Sequence, residues 1–229
     1  MPRPRTHDPD AVLDAAESLA VRSGPAAVTI RAVAAATGVS NGAIYHTFGS
    51  RAELLGRSWL RAARRYLTMQ MDLVEAHLGA SVVVAPSSSN GRGATHSPEV
   101  VAAVLAAAET PVEFARQFPD SSKLLLTVSR DELLGDELPD QVATELAGTD
   151  DALVALIIRL SRALWGRGDG AAVDVITTCV VDLPTAILLR RDRITEPIAR
   201  EHLRAAVRAV LDVGPPDRTS KPNPDKGTP

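Results

Sequence analysis

The sequence predicts an all-α protein, and three observations support that fold class. Apolar residues make up 45% of the 229 residues but aromatic residues only 3%, so the core should consist mainly of Ala, Val and Leu side chains. Such a composition favours closely packed helices over sheets, in which β-branched and aromatic residues dominate. Apolar residues recur at the three- and four-residue spacing of helices along most of the chain. Helix-start signals containing proline and glycine stops separate these segments.

The first helix is predicted to follow a flexible arm, residues 1–8. Asp8-Pro9 supplies a suitable N-cap and first helical residue, and Gly24-Pro25 ends the apolar stripe. The arm carries Arg3 and Arg5 between prolines. These arginines could reach DNA phosphates or the minor groove, or the arm could simply fray in solvent.

Two short helices joined by a tight turn are predicted between Thr29 and Phe48. Thr29 is a suitable cap for the first helix, whose apolar residues share one face. Gly38 can adopt the left-handed conformation that a sharp turn requires. Either Ser40 or Asn41 can cap the second helix. This pattern is typical of a helix-turn-helix, whose second helix enters the major groove of DNA.

The charge distribution agrees with that interpretation. Residues 1–65 contain nine arginines and five acidic residues, whereas residues 66–213 contain 13 basic and 21 acidic residues. The basic excess therefore lies in the segment that would meet a polyanion. An ordinary solvated surface is the alternative explanation for this charge.

A long helix is predicted after the helix-turn-helix. Ser50 and Glu53 form the pattern of a capping box, in which Glu53 would reach back to the backbone of Ser50. The helix should run to about Leu78. Residues 79–97 break the pattern and contain a Ser/Gly-rich stretch, which predicts a flexible loop.

The remaining segments are also predicted to be helical. One helix is predicted to start at Pro98, a second to run from Thr110-Pro111 to about Phe118, and a third to run from Pro119 to Leu134. A fourth is predicted from Pro139 to Gly166, with a break near Gly148. The last two are predicted over Ala171–Arg191, with a kink at Pro184, and from Pro197 to Val213. The tail, residues 214–229, is polar and Pro-rich and is predicted to be disordered.

Residues 8 to about 60 resemble the N-terminal domain of TetR-family transcriptional regulators. The resemblance lies in the run VTIRAVAAATGVSNGAIYHTFGSRAELL, from Val28 to Leu55. It implies a three-helix DNA-binding domain over residues 9–60 and a helical ligand-binding and dimerisation domain over residues 61–213. It also implies a transcriptional repressor that binds a palindromic operator as a homodimer and is released by a small, largely apolar ligand.

Eight residues are predicted to contact DNA. Four lie at the start of the second helix, where side chains reach base edges: Ser40, Asn41, Gly42 and Ala43. The resemblance implies phosphate contacts by Thr29, Tyr45, His46 and Arg51. Asn41 stands where many relatives have Lys, so one charge is lost there. Helix packing is the alternative role for Tyr45, and an uninvolved surface side chain is the alternative for His46.

The C-terminal part should supply the dimer contact and the ligand pocket. Relatives suggest a dimer interface formed by residues 171–189 and 197–213, although the first of these could instead be a core helix. Six side chains are candidates for the pocket, with an ordinary role in the core as the alternative: Phe114, Phe118, Leu126, Arg130, Trp165 and Cys179.

An enzyme is the main competing class of function, and the sequence argues against it. It contains no H-E-x-x-H, no glycine-rich phosphate loop, no G-x-S-x-G and no cysteine pair. We therefore expect no catalytic residues, no metal site and no cofactor. An enzyme site assembled by the C-terminal helices and a DNA-binding adaptor controlled by a protein partner are the alternatives. With a single cysteine, a polar N-terminus and two carboxylates in its most apolar segment, the chain is expected to be cytoplasmic and not membrane-bound.

Overall fold

The computed structural model describes residues 8–79, 97–128 and 138–217, and these residues confirm the all-α prediction. They contain helices and no strand. The helices are α1 (Pro9–Ser23), α2 (Ile30–Thr37), α3 (Asn41–Phe48), α4 (Arg51–Leu78), α5 (Pro98–Gln117), α6 (Pro119–Thr127), α7 (Asp140–Trp165), α8 (Gly170–Leu189) and α9 (Pro197–Val213). The arm before Asp8, the loop 80–96 and the tail 218–229 lie outside the described residues.

The first three helices begin and end where the local sequence predicts. The Asp8 Oδ1 atom accepts a hydrogen bond from the Asp10 backbone N–H at 3.0 Å and caps α1. α1 ends at Ser23, and its C-cap, Gly24, has a φ of 81°. A single 3₁₀ turn, Pro25–Ala27, then leads to Thr29, the cap of α2. These boundaries rest on neighbouring residues only, which is why the sequence specifies them.

The chain divides into two compact units, and the first comprises Met1–Asp72 and Thr110–Val154. Its core contains residues of α1 to α4 together with Leu124 of α6 and Val128 just after α6. The Trp59 Nε1–H also donates to the Val128 carbonyl at 3.0 Å. The helix-turn-helix thus shares its apolar core with α6, which lies more than 60 residues further along the chain.

A polar network also connects α1, α4 and α6. Glu17 is only 3% exposed. Its carboxylate accepts from the Arg61 guanidinium at 2.6 Å and from the Ser121 hydroxyl at 2.7 Å. Burial alone would lower the pKa of Arg61, but Glu17, Asp10 and Asp14 together hold it above its ordinary value. A buried carboxylate is stable in the core only with such partners.

Two predicted helix breaks are wrong. α5 continues through Pro111 instead of restarting at Thr110, and α7 continues through Gly148. A proline inside a helix costs about 3 kcal/mol and a glycine about 1 kcal/mol relative to Ala. Each helix carries buried apolar side chains beyond the unfavourable residue, such as Phe114 in α5 and Leu160 in α7. Burial therefore outweighs the local preference.

The predicted extent of α6 to Leu134 is also wrong. α6 ends at Thr127, and Val128 already has an extended conformation with φ −109° and ψ 108°. Residues 129–137 lie outside the described part of the chain. The Val128 carbonyl, which accepts from Trp59, marks where the chain leaves the helix.

The second compact unit comprises Leu73–Glu109 and Ala155–Pro229. Within it the Glu109 carboxylate accepts hydrogen bonds from Arg200 and Arg204 of α9. Burial alone would raise the pKa of Glu109, but the two guanidinium groups outweigh it, and the pKa lies below its ordinary value. This pairing holds the end of this unit's α5 segment against α9.

Helix α8 is the most apolar segment of the second unit. It starts as an α-helix and contains π-helical turns at Thr178–Asp182 and Thr185–Leu189, on either side of Pro184. By length and composition alone, α8 is the one described helix that could cross a membrane, as many core helices of soluble proteins also could. Its exposed residues include Asp174 and Asp182. A carboxylate in lipid is costly, which favours contact with protein or water.

Candidate nucleic-acid interface

The turn between α2 and α3 is held by a glycine and a threonine. Gly38 has a φ of 71°, in the left-handed region, and its N–H donates to the Ala34 carbonyl at 2.9 Å. The Thr37 hydroxyl donates to the Val33 carbonyl at 2.8 Å and accepts from the Val39 N–H at 3.3 Å. Thr37 was not singled out by the sequence argument, although a hydroxyl directly before a turn glycine is a recognisable signal.

The N-terminus of α3 is capped by Ser40, which resolves the choice between Ser40 and Asn41. The Ser40 Oγ atom accepts from the Ala43 N–H at 3.2 Å. Asn41 is thereby left with an exposed side chain that the cap does not use. Gly42 is exposed as well, and a Cβ atom placed there would meet nothing within 4 Å. The fold itself therefore does not require glycine at this position, whereas a close approach by a large ligand would benefit from it.

The two faces of α3 differ sharply in exposure. Ile44 and Phe48 are 1% and 3% exposed and belong to the core of the first unit. Tyr45 is 54% exposed, and His46 is exposed beside it. An exposure of that size argues against helix packing as the role of Tyr45. The outer face of α3 therefore presents polar groups that could meet a phosphate backbone.

Helix α2 contributes a cation that the sequence argument did not single out. Arg31 is exposed in the first turn, and in the described part of the chain it makes no hydrogen bond or ion pair. Directly before the helix, the Thr29 Oγ1 atom accepts from the Ala32 N–H at 3.1 Å. The sequence contained a signal for Arg31, because it lies off the helix face that carries the buried Ile30 and Val33.

Arg51 lies at the first position of α4, but its guanidinium is engaged within the protein. Its Nε–H donates to the Val28 carbonyl at 2.7 Å and an Nη2–H to the Pro25 carbonyl at 2.8 Å. The predicted phosphate contact of Arg51 stays a prediction. It would have to use the remaining N–H groups, since these two are occupied.

The capping box predicted at the start of α4 forms only in part. The Ser50 Oγ atom accepts from the Glu53 N–H at 3.0 Å, as expected. The reverse contact is absent, because the Ser50 N–H donates to the Phe48 carbonyl at 2.6 Å and Glu53 pairs with Arg57 at 2.8 Å. A guanidinium one turn away competes successfully for the carboxylate.

Other arginines of α4 are likewise engaged inside the first unit. These pairs are Arg57 with Glu53, Arg61 with Glu17, Arg64 with Glu145 and Arg65 with Ser121. The basic excess that the sequence places in residues 1–65 is thus largely used for internal contacts. Among the described arginines of α1 to α4, only Arg22 and Arg31 lack such a contact.

The predicted ligand-pocket residues fall into two groups. Phe114 and Phe118 are in contact in the first unit, with ring centroids 5.5 Å apart, and Tyr66 packs edge-on against Phe114 at 5.3 Å. Leu126 of the same unit is half exposed. Trp165 and Cys179 belong to the second unit, and Arg130 lies outside the described residues.

The surroundings of two of those candidates are defined. Cys179 is fully buried, and burial raises the pKa of its thiol to about 12, which disfavours the reactive thiolate. Trp165 lies beside Gly214, where a Cβ atom would be 3.6 Å from its Nε1 atom. Among the described residues, no group of three or more His, Cys, Asp or Glu side chains is arranged to hold a metal ion.

Comparison with known proteins agrees with this site. The sequence model of the bacterial regulatory proteins of the tetR family matches residues 12–57, which include α1 to α3 and the start of α4. No curated protein matches the chain. The match contains every described residue of the candidate interface.

Solved structures with the same fold cover nearly the whole chain. One from Pseudomonas aeruginosa, described as a transcriptional regulator, is 16% identical, with a TM-score of 0.61 over 90% of this chain and 88% of that one. One from Mesorhizobium loti, described as a TetR-family regulator, is 14% identical, with a TM-score of 0.62 over 91% and 96%. A regulator from Saccharomonospora viridis, described in complex with choline, is 18% identical, with a TM-score of 0.58 over 89% and 95%.

Identities this low show the fold alone. The likeness in sequence to the bacterial regulatory proteins of the tetR family is therefore limited to residues 12–57, which contain the helix-turn-helix described above.

Proposed function

We propose that this protein is a repressor that binds a palindromic operator as a homodimer and is released by a small, largely apolar ligand. The exposed, capped N-terminus of α3 is the observation that carries the DNA-binding part. Ser40 satisfies the helix end, which leaves Asn41 and Gly42 facing outward. A helix presented in this way fits the major groove, where its first residues meet base edges.

The proposed contacts divide into base and phosphate contacts. At base edges, Asn41 can pair with an adenine through two hydrogen bonds, while Gly42 and Ala43 permit a close approach. Phosphates are contacted by Thr29 and the exposed side chains Tyr45 and His46, all predicted from the sequence, and by Arg31. Arg31 is added because it is an exposed cation without an internal partner.

The homodimer is supported by the surface of α9. Four apolar or small side chains on this helix are exposed and lie along one side of it, the first two about two turns apart and the others one turn apart: Ile198, Ala205, Ala209 and Val213. Ile198 and Val213 are 55% and 85% exposed, so a dimer formed through this face would remove apolar surface from water. A two-fold dimer through this face and α8 would present two recognition helices, as a palindrome requires.

Release by a ligand is supported more indirectly. The similar structure from Saccharomonospora viridis is described in complex with choline, so the fold accommodates a small molecule in that protein. In this chain, the rings of Phe114, Phe118 and Tyr66 form a packed aromatic cluster in the first unit, and α6 shares the core of the helix-turn-helix. A ligand that binds one arrangement of α6 more tightly would shift the DNA-binding equilibrium.

Selection of bound fragments from random DNA tests the DNA-binding part. We expect enrichment of an inverted repeat whose half-sites lie at multiples of about 10 base pairs, because each half-site meets one recognition helix. Enrichment of a single half-site without symmetry would contradict the dimer. No enrichment at all would contradict operator recognition.

A thermal-shift panel with the DNA-bound and free protein tests the ligand. A repressor of the proposed kind should be stabilised by a small molecule that also lowers operator affinity. An adaptor controlled by a protein partner is the second candidate. It would show no stabilisation by small molecules and a shift only with a protein.

A further inference from the structure

Arg51 joins two segments that are distant in sequence. It is the first residue of α4, and its two acceptors, the carbonyls of Pro25 and Val28, lie 26 and 23 positions earlier. Both hydrogen bonds are short, at 2.8 and 2.7 Å. Val28 is fully buried in the core of the first unit. The guanidinium therefore fixes the connection between α1 and α2 from two points.

That connection determines where α2 begins. The 3₁₀ turn Pro25–Ala27 is followed by Val28 and then by Thr29, whose side chain caps α2. Thr29 is exposed, and the first N–H groups of α2 follow it. These groups form a natural contact for a phosphate, since a helix N-terminus carries partial positive charge. A displacement of Val28 would move them directly.

The two hydrogen bonds from Arg51 to the Pro25 and Val28 carbonyls require an arginine side chain. A guanidinium presents several N–H donors in a rigid plane and can meet two carbonyl oxygens at once, whereas a lysine ammonium is a single compact group on a flexible stem. The position is electrostatically unfavourable for any cation, because the start of a helix is already positive. The two contacts of Arg51 with carbonyl oxygens compensate for this unfavourable position.

We propose that Arg51 is a positioning residue for DNA binding, which orients the N-terminus of α2 through the Pro25 and Val28 carbonyls and contributes little through its charge. The inference rests on the proposed DNA-binding function. It replaces the phosphate contact predicted from the sequence with an indirect role. It also separates two properties that a phosphate contact would combine, namely affinity and salt dependence.

The test compares Arg51→Lys, Arg51→Ala and wild type on the selected operator at several salt concentrations. Arg31→Ala serves as a control that removes one charge from the same surface. We expect both Arg51 variants to lose about tenfold or more in affinity, as for the loss of hydrogen bonds from a charged group. The slope of log K against log salt should stay at the wild-type value in both variants, because no phosphate charge pair is lost.

A second measurement distinguishes positioning from a general loss of folding. Hydrogen exchange in Arg51→Lys should accelerate at the amides of residues 28–32 and stay unchanged in the core of α1. Full affinity in Arg51→Lys, with a slope reduced by about 0.9 for each subunit in Arg51→Ala, would overturn the inference in favour of a phosphate contact. Uniformly faster exchange throughout the first unit would overturn it in favour of a folding defect. If the wild-type protein selects no DNA, the proposed DNA-binding function fails and the inference fails with it. That outcome can be told apart from the failures above, in which the wild-type protein binds its operator.

Discussion

The helix-turn-helix and the first half of α4 carry similar functional expectations from the sequence but differ in what their polar groups do. In α2 and α3, Arg31, Asn41 and His46 are exposed and are not used by the fold. In α4, four arginines contact other parts of the first unit, namely Arg51, Arg61, Arg64 and Arg65, and Arg57 pairs with Glu53 of the same helix.

The difference shows that the number of arginines in a segment overstates the number that can bind DNA, because some of them are already paired within the protein. The sequence places nine arginines in residues 1–65. Those of α4 mainly hold helices together, so electrostatic attraction to DNA should depend on a smaller set. Stability and DNA affinity are therefore expected to separate along the chain, and four substitutions can test that separation.

Replacement of Arg61 by Ala should have the largest effect on stability. It would leave the buried Glu17 carboxylate without its closest charged partner, at 2.6 Å, and we expect a loss of about 3 kcal/mol in the free energy of unfolding. Denaturant unfolding measures this loss. The matched control is Arg64→Ala, whose side chain is 58% exposed and whose loss should stay within about 1 kcal/mol. Equal losses would contradict the assignment of Arg61 to the internal network.

Replacement of Asn41 by Ala should act on base preference. Loss of a two-bond contact to a base is expected to remove about 1–3 kcal/mol of discrimination at one position of each half-site. Competition between the selected operator and single-base variants measures this change. Unaltered discrimination at all positions would show that Asn41 contacts phosphate or solvent instead.

Replacement of Arg31 by Ala should weaken binding to all DNA sequences alike. If Arg31 neutralises one phosphate in each subunit, the salt slope should fall by about 0.9 for each subunit. Arg64→Ala removes the same charge from a residue paired with Glu145 and should leave the slope unchanged. Equal changes in both variants would indicate a general charge effect.

Replacement of Ser40 by Ala should have the smallest effect on the whole protein, a loss of about 1 kcal/mol in unfolding free energy, because the cap of α3 is removed. Calorimetry or denaturant unfolding measures it. Ser40→Asp should retain most of the stability, since aspartate also caps helices. Full stability in the Ala variant would indicate that another group satisfies the Ala43 N–H.

Much of the fold could be predicted because its signals are local. Asp8, Thr29 and Ser40 cap helices through hydrogen bonds to residues two or three positions away, and Gly38 supplies its own backbone conformation. The breaks predicted at Pro111 and Gly148 failed for the opposite reason. There, side chains such as Phe114 pack against residues far away in the sequence, such as Tyr66, and their burial outweighs a local penalty of about 1–3 kcal/mol.

The candidate site shows the same division. Exposure of Tyr45 and the buried positions of Ile44 and Phe48 follow from helical spacing on α3, which the sequence contains. The partners of Arg51 and Arg61 lie 23 to 51 positions away, and no periodicity points to them. The ligand pocket stays a prediction, and its described candidates belong to both compact units.

By itself, the sequence determined the helix-turn-helix, its caps, its turn and its likeness to the tetR family over residues 12–57, because each of these depends on residues that are close together in the chain. Only the tertiary structure decided which arginines are free. Ion pairs and carbonyl contacts form between helices that are far apart in the chain, and a guanidinium binds whichever acceptor the fold brings within about 3 Å.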